Sequence, residues 1–165
     1  MVFYGRYIDD CFGIVYAESA NEALEILSKK VVYDGCVIEW AVSDSRCQFL
    51  DSVIFKTDNN QIGWRPYVKA RNNRERIPWV SHHPIDVKRG VYIGELSRLA
   101  VLCSHKEIYI EAVRDLNALF QTCSYPVPLF MNWCKNNLQK HWEKCFVLHN
   151  NDSNVSTESI LVLKT

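Results

Sequence analysis

The sequence has no excess of charge of either sign, no long apolar run, and little glycine or proline. Its 19 Lys and Arg residues balance 19 Asp and Glu residues, and 48% of its residues are hydrophobic, a composition that argues against intrinsic disorder. No apolar run reaches the roughly 18–20 residues of a membrane helix, and residues 1–10 lack the basic-then-apolar order of a signal peptide. These absences predict a soluble, intracellular protein without a membrane partner, and they do not distinguish the nucleus from the cytoplasm.

The seven cysteines also lack a recognisable pattern. Their number is odd, and no two stand at the C-x-x-C spacing of zinc ribbons and redox motifs. A disulfide scaffold is therefore not expected, and the cysteines are predicted to be buried thiols. A zinc site is the alternative, because Cys and His together supply tetrahedral ligands. Its ligands would come from Cys103, His105, Cys123 or Cys145 together with His141 or His149.

What the chain does have is a charge polarity that the zero total hides. Residues 9–58 contain ten acidic and four basic residues, whereas residues 65–90 contain seven basic and two acidic residues. An acidic half beside a basic stretch favours metal chemistry next to a phosphate-binding surface. Chance clustering of surface charges is the alternative, and composition alone does not separate the two.

The hydrophobic periodicity predicts an α+β chain. Residues 2–8 and 11–16 are rich in β-branched and aromatic types and predict a hairpin, and a capping box at Ser19 and Glu22 opens a helix over 19–31. Further strands are expected at 35–42, 47–56 and 62–69, and helices at 84–103, 104–122 and 127–146. A second capping box, formed by Ser104 and Glu107, opens the helix over 104–122. The domains would be a sheet region at 1–69, a basic linker at 70–82, a helical region at 83–148 and a flexible tail at 149–165.

Two adjacent acids, Asp9 and Asp10, stand at the tip of the first hairpin. Adjacent carboxylates between apolar strands repel each other, and a divalent cation offsets that repulsion. Mg²⁺ commonly binds one or two carboxylates together with substrate phosphates, and two-metal phosphoryl transfer uses carboxylates in this way. The alternative is a plain turn, in which the Asp side chains bond to their own backbone.

The residues around these acids resemble a known family. Residues 4–12, Tyr-Gly-Arg-Tyr-Ile-Asp-Asp-Cys-Phe, are similar to the catalytic Tyr-x-Asp-Asp hairpin of reverse transcriptases, especially the Arg-Tyr-x-Asp-Asp form of Penelope-like and related retroelement enzymes. Phe49-Leu50-Asp51 resembles the Phe-Leu-Asp strand near the primer grip. Further short motifs follow in the family's order: Tyr67-Val68-Lys69, Ser81-His82-His83-Pro84, Lys88-Arg89-Gly90, Glu95-Leu96-Ser97-Arg98 and Tyr125-Pro126.

The resemblance implies the C-terminal part of a polymerase palm, an antiparallel sheet with one helix, followed by an all-helical thumb or connector. Asp9 and Asp10 would be the catalytic, metal-binding carboxylates, with Mg²⁺ or Mn²⁺ as the cofactor. The residues beside the primer or the incoming nucleotide would be Tyr7, Phe49, Leu50 and Asp51. The phosphates of an RNA or RNA–DNA template–primer duplex would be contacted by Lys69, Arg71, Arg74, Arg76, Lys88 and Arg89.

The family places another catalytic Asp and the fingers upstream of this hairpin, and here only six residues precede Tyr7. The expectation is therefore a reverse-transcriptase fragment, inactive alone, which takes part in two-metal nucleotidyl transfer and binds dNTP only when the missing half is supplied. Whether the chain is itself an enzyme is left open. One alternative is a non-catalytic nucleic-acid-binding module derived from a retroelement, and the other is a helical protein-interaction domain.

Overall fold

The computed structural model describes residues 3–69, 76–150 and 161–164, with side chains as far as residue 145. The chain divides into two compact units, the sheet unit of Met1–Tyr67 with Val155–Thr165, and the helical unit of Val68–Asn154. The α+β class predicted from the sequence is confirmed, whereas no polymerase fold is shown. The elements are β1 (Phe3–Tyr7), β2 (Asp10–Val15), α1 (Ala20–Lys30), β3 (Ala41–Ser43), β4 (Arg46–Phe49), β5 (Ser52–Lys56), β6 (Ile62–Pro66), α2 (Ile85–Val101), α3 (Lys106–Thr122), α4 (Val127–Asn150) and β7 (Leu161–Lys164).

The sheet unit contains two antiparallel sheets. The first has the strand order β1-β2-β7-β3 and the second the order β4-β5-β6. Strand β2 is buried on both faces, because Phe12 and Ile14 pack on the second sheet while Val15 packs on α1. A Cβ on Gly13 would lie 3.2 Å from Leu27 Cδ2, so the glycine permits the close approach of α1 to this strand.

Three parts of the sheet unit differ from the sequence-based expectation. Residues 35–42, expected as a strand, enter a sheet only at their end, where β3 begins at Ala41. Residues 47–56, expected as one strand, form the hairpin β4–β5, in which Phe49 pairs with Ser52. Residues 149–165, expected as a flexible tail, contain the end of α4 and strand β7, which lies between β2 and β3. Strand β7 was not predicted because it follows the polar run 149–158 and contains only the short apolar sequence Leu-Val-Leu. Such a short sequence forms a strand only by pairing with strands that are distant in the chain.

The helical unit is built on one aromatic core. The central side chains Tyr92, Phe120, Phe130 and Trp133 are buried where α2, α3 and α4 meet. The Tyr92 ring lies 4.9 Å from the Phe120 ring in an edge-to-face arrangement, which is a favoured geometry for aromatic pairs. The sequence pattern also predicts Trp142 as a core residue, and its burial confirms this. None of the described helices combines the length and apolar character that crossing a bilayer requires.

The two capping boxes have different outcomes. At α1 the prediction is confirmed, because the Ser19 hydroxyl accepts a hydrogen bond from the Glu22 backbone N–H at 3.2 Å. At α3 it is wrong, because the N-cap is His105 and makes no side-chain capping bond. Ser104 Oγ instead lies 2.7 Å from His105 Nδ1, so α3 begins at Lys106.

The connection from α3 to α4 is a Schellman turn, in which two backbone hydrogen bonds close the end of a helix. Tyr125 N donates to Phe120 O at 3.1 Å and Ser124 N donates to Gln121 O at 3.0 Å. The Tyr125 ring then packs on Phe120 with a centroid distance of 4.7 Å, the apolar contact that accompanies this motif. Ser124 adopts the left-handed conformation with φ at 65°, a position where glycine is usual.

We expect the substitution Ser124→Gly to stabilise the helical unit by about 1 kcal/mol, because a left-handed residue with a Cβ costs roughly that amount. Peptide-resolved hydrogen exchange of α3 and α4 would measure it. Substitution of the exposed Ala118 by Gly is the control and should destabilise by about as much, since it lies inside a helix. Equal destabilisation by both variants would contradict the turn assignment.

Candidate nucleic-acid interface

The outer face of α4 is polar and basic from Asn132 to Lys144. Its buried face carries Phe130, Trp133 and Trp142, which fixes the rotation of the helix about its own axis. The exposed positions recur at spacings of three and four residues, as one helical face requires. They are Val127, Pro128, Met131, Asn132, Lys135, Asn136, Gln139, Lys140, Glu143 and Lys144. With three lysines and one glutamate, this α4 face has a positive charge.

Amide side chains occupy the middle of the α4 face and are ordered by local hydrogen bonds. Asn136 Nδ2 donates to Asn132 Oδ1 at 3.3 Å. Gln139 Nε2 donates to Glu143 Oε1 at 2.8 Å. Each amide uses only part of its capacity in these bonds, because an amide has two donor hydrogens and an acceptor oxygen. These exposed side chains therefore keep further donor and acceptor capacity next to Lys135.

The outer face of α3 has the opposite charge. Glu107, Glu111 and Asp115 are exposed there, against Lys106 and Arg114. A phosphate backbone placed along this face would meet mostly carboxylates and be repelled. Among the described helices of the unit, α4 is thus better suited than α3 to face an anionic partner.

Helix α2 carries two of the predicted phosphate-binding residues, Lys88 and Arg89, and a third, Arg76, contacts it from the preceding segment. Arg89 is exposed, as the predicted phosphate contact requires. Arg76 is only partly exposed, and its guanidinium lies 3.0 Å from a Glu95 carboxylate oxygen. Arg98 reaches the same carboxylate at 3.8 Å. The local Glu95–Arg98 pair expected from their spacing is therefore present, and it is extended by Arg76.

Lys88 has a structural position that its sequence context does not indicate. Only 6% of its surface is exposed, and its ammonium donates to the carbonyl oxygens of Trp79 and Ser81, both at 2.7 Å. The ammonium also lies 4.8 Å from the centre of the Trp79 ring. These contacts fasten residues 79–81 to α2. Lys88 is consequently buried and is not part of an exposed phosphate-binding surface.

The other predicted phosphate-binding residues lie before the helices. Lys69 is exposed and stays a predicted phosphate contact. Arg71 and Arg74 lie outside the described residues. The segment from residue 76 onward packs on the helices, because Tyr125 Oη donates to Ile77 O at 2.8 Å and Trp79 N donates to Cys123 O at 3.0 Å.

The predicted catalytic residues form the tip of the β1–β2 hairpin. Tyr7 pairs with Asp10, so Ile8 and Asp9 make a two-residue turn. Ile8 has φ at 56°, an unusual conformation for a β-branched residue, and its carbonyl accepts a hydrogen bond from Arg6 Nε at 2.7 Å. Tyr7 and Asp9 are exposed, and Asp10 is half-buried. The structure therefore places Tyr7, Asp9 and Asp10 next to one another at this turn.

The predicted primer-side residues form a second turn of the same kind. Leu50 and Asp51 connect β4 to β5, and Leu50 also has a positive φ of 52°. Phe49 packs on Phe12 with the ring centroids 5.3 Å apart, which makes it a contact between the two sheets. The Asp51 carbonyl accepts a hydrogen bond from Tyr67 N at 2.7 Å. Each of these residues has a structural role that needs no substrate.

Metal binding stays a prediction. Within the described ranges, no group of three or more His, Cys, Asp or Glu side chains is arranged to hold a metal ion. Asp9 and Asp10 could supply at most two carboxylates at the hairpin tip, so an Mg²⁺ or Mn²⁺ ion there would need other ligands. The zinc alternative gains no such group either, and the side chain of His149 lies outside the described residues.

The cysteines and His141 lie largely within the protein. The seven cysteines form no disulfide bond, and Cys11, Cys103, Cys134 and Cys145 are buried, whereas Cys36 is exposed. Burial raises the pKa of the Cys103 thiol to about 12. Burial, with the nearby charges of Lys144 and Lys140, lowers the pKa of His141. Burial thus disfavours the thiolate form of Cys103, the form that acts as a nucleophile or metal ligand.

Comparison with known proteins found one family similarity, and it lies in the helical part of the chain. The family model of the animal helix-turn-helix domain matches residues 76–136, which covers α2, α3 and the first part of α4. No curated protein and no solved structure matches the chain. The matched region contains the Schellman turn between α3 and α4, the connection that a helix-turn-helix domain needs.

The assignment to the reverse transcriptases, and with it the expectation of nucleotidyl transfer, is wrong. The family match is to a helix-turn-helix domain over residues that the sequence analysis assigned to a polymerase thumb. The motifs that resemble those of reverse transcriptases have local structural roles, since Tyr-Ile-Asp-Asp and Phe-Leu-Asp form hairpin turns. The later motifs stabilise the helical unit through Lys88, Glu95 and Tyr125.

The polar face of α4 is not among the sites predicted from the sequence. The predicted phosphate contacts lie between residues 65 and 90, where the local density of Lys and Arg is high. The available signal was periodicity, because Asn132, Lys135, Asn136 and Gln139 recur at helical spacing opposite the aromatic stripe.

Proposed function

We propose that the helical unit is a nucleic-acid-binding helix-turn-helix module, with the α4 face as its contact surface. The observation that carries this proposal is the match of residues 76–136 to a helix-turn-helix domain. Such domains place one helix of the pair against nucleic acid. This function corresponds to the non-catalytic alternative derived from the sequence.

Charge and burial support the choice of α4. Its lysines Lys135, Lys140 and Lys144 are exposed on a helix whose other side is buried in the aromatic core. The exposed acids of α3 would repel phosphate, so the approach of a nucleic acid along α3 is disfavoured. Arg89 on α2 and Lys69 before the helices are also exposed and are proposed as additional phosphate contacts.

The proposal predicts that binding to a nucleic-acid duplex falls steeply with salt and depends on the α4 lysines. The triple variant Lys135→Gln, Lys140→Gln, Lys144→Gln should lose roughly ten- to a hundredfold in affinity at low salt. Its plot of log affinity against log salt should flatten by about two to three units, since each lost phosphate contact contributes about 0.9. Fluorescence anisotropy of a labelled duplex at about 50 and 200 mM salt would measure both quantities.

The control removes the same number of positive charges elsewhere. The variant Lys29→Gln, Lys30→Gln, Lys106→Gln changes exposed helical lysines of α1 and α3, and its affinity should stay within about threefold of the parent chain. Equal losses in both variants would show that only total charge matters. Absence of salt-dependent binding in the parent chain would exclude the proposed function.

A further inference from the structure

We infer that α4 reads base pairs in the major groove of duplex DNA and prefers sites that contain adenine, through Asn132, Asn136 and Gln139. This inference rests on the proposed function and specifies its substrate. The three amides are exposed, lie on one face of one helix, and flank Lys135. Asn and Gln are the side chains that pair with adenine in the major groove, where they donate to N7 and accept from the N6 amino group.

The geometry of the amides fits this role. Because Asn132 Oδ1 accepts from Asn136 Nδ2, the Asn132 amino group and the Asn136 oxygen take no part in this hydrogen bond, and both side chains are exposed. One side chain can thus donate to a base while its neighbour accepts from one. The hydrogen bond between them also limits their rotamers, which lowers the entropy that binding must overcome.

The spacing along α4 sets the length of the inferred site. A helix rises about 1.5 Å per residue, so Asn132 and Asn136 lie about 6 Å apart along the axis, and Asn132 and Gln139 about 10 Å apart. Base pairs stack about 3.4 Å apart. The amides therefore span about three to four base pairs, the length that one helix reads in a groove.

The same face argues for DNA rather than RNA. The major groove of B-form DNA is about 12 Å wide and admits a helix, whereas the major groove of A-form RNA is too deep and narrow for side chains to read. The buried aromatic side of α4 prevents the helix from turning another face outward. A preference for duplex RNA would consequently overturn the inference.

The test is selection of binding sites from a randomised duplex DNA library with the full chain, followed by affinity measurements on the selected site and on a scrambled duplex. We expect the parent chain to enrich a short site with adenine at two or more positions. The double variant Asn132→Ala, Asn136→Ala should lose roughly ten- to a hundredfold in affinity for that site. Its affinity for the scrambled duplex should change less than about threefold, because phosphate contacts remain.

The control is Asn21→Ala, the same substitution at an exposed position of α1, which should leave site preference unchanged. Alanine at exposed helical positions favours the helix, and circular dichroism would verify that the variants are folded. Sequence-indifferent binding by the parent chain, or a site preference retained by the double variant, would overturn the inference and leave the proposed function standing. Absence of any duplex binding would refute both.

Discussion

Replacing Lys88 with methionine is expected to lower the free energy of unfolding of the helical unit by about 3 kcal/mol, because hydrogen bonds from a charged group to buried carbonyls are individually strong. The ammonium is the shared donor to Trp79 O and Ser81 O. Methionine fills a similar volume but leaves both oxygens without this donor. Peptide-resolved hydrogen exchange of α2 would measure the loss.

The matched control for this variant is the next residue. Arg89→Met removes a positive charge from an exposed position of the same helix, and it should change stability by less than about 0.5 kcal/mol. Arg89→Met should weaken nucleic-acid binding, since Arg89 belongs to the proposed phosphate contacts. Lys88 is not one of these contacts. A loss below 1 kcal/mol for Lys88→Met would show that the lysine does not hold residues 79–81 in place.

Substitution of Phe120 by alanine is expected to cost about 4 kcal/mol, the usual cost of removing a buried aromatic ring. Phe120 is fully buried, and its ring meets both Tyr92 and Tyr125 edge to face. The substitution therefore creates a cavity in the core and removes the apolar contact of the Schellman turn. Urea unfolding followed by hydrogen exchange in α3 and α4 would measure the change.

The comparison variant is Met131→Ala, which shortens a large side chain that is 46% exposed on α4. It should cost less than about 1 kcal/mol, because little surface is removed from the interior. If Phe120→Ala proved as mild as this variant, the packing described for the turn and the core would be incorrect.

The elements that could be predicted from the sequence are those with strong local signals. The N-cap residue Ser19 and the apolar residues that follow it at helical spacing are sufficient to predict α1. The aromatic residues at helical spacing that include Trp133 are sufficient to predict α4. The β4–β5 turn was missed, because Leu50 is not a residue that normally takes a positive φ. Turn prediction relies on Gly, Asn and Asp at such positions. Here the paired residues of β4 and β5 on either side of the turn impose the conformation.

The site was harder to predict because it depends on which way a side chain points. Lys88 and Arg89 are neighbours in sequence, yet successive residues of a helix point about 100° apart. One side chain is buried and the other exposed, and charge density alone could not separate them. The amides of α4 were not predicted as a site, since a single Asn or Gln does not form a recognisable sequence motif.

Strand β7 has a consequence for the order in which the chain becomes ordered during synthesis. It lies between β2 and β3 in the first sheet, although the whole helical unit separates it from them in sequence. The helical unit relies on contacts within one continuous stretch, which form readily. A ribosome-bound chain can therefore complete its helical unit first, and the first sheet closes only after residues 161–164 have been made.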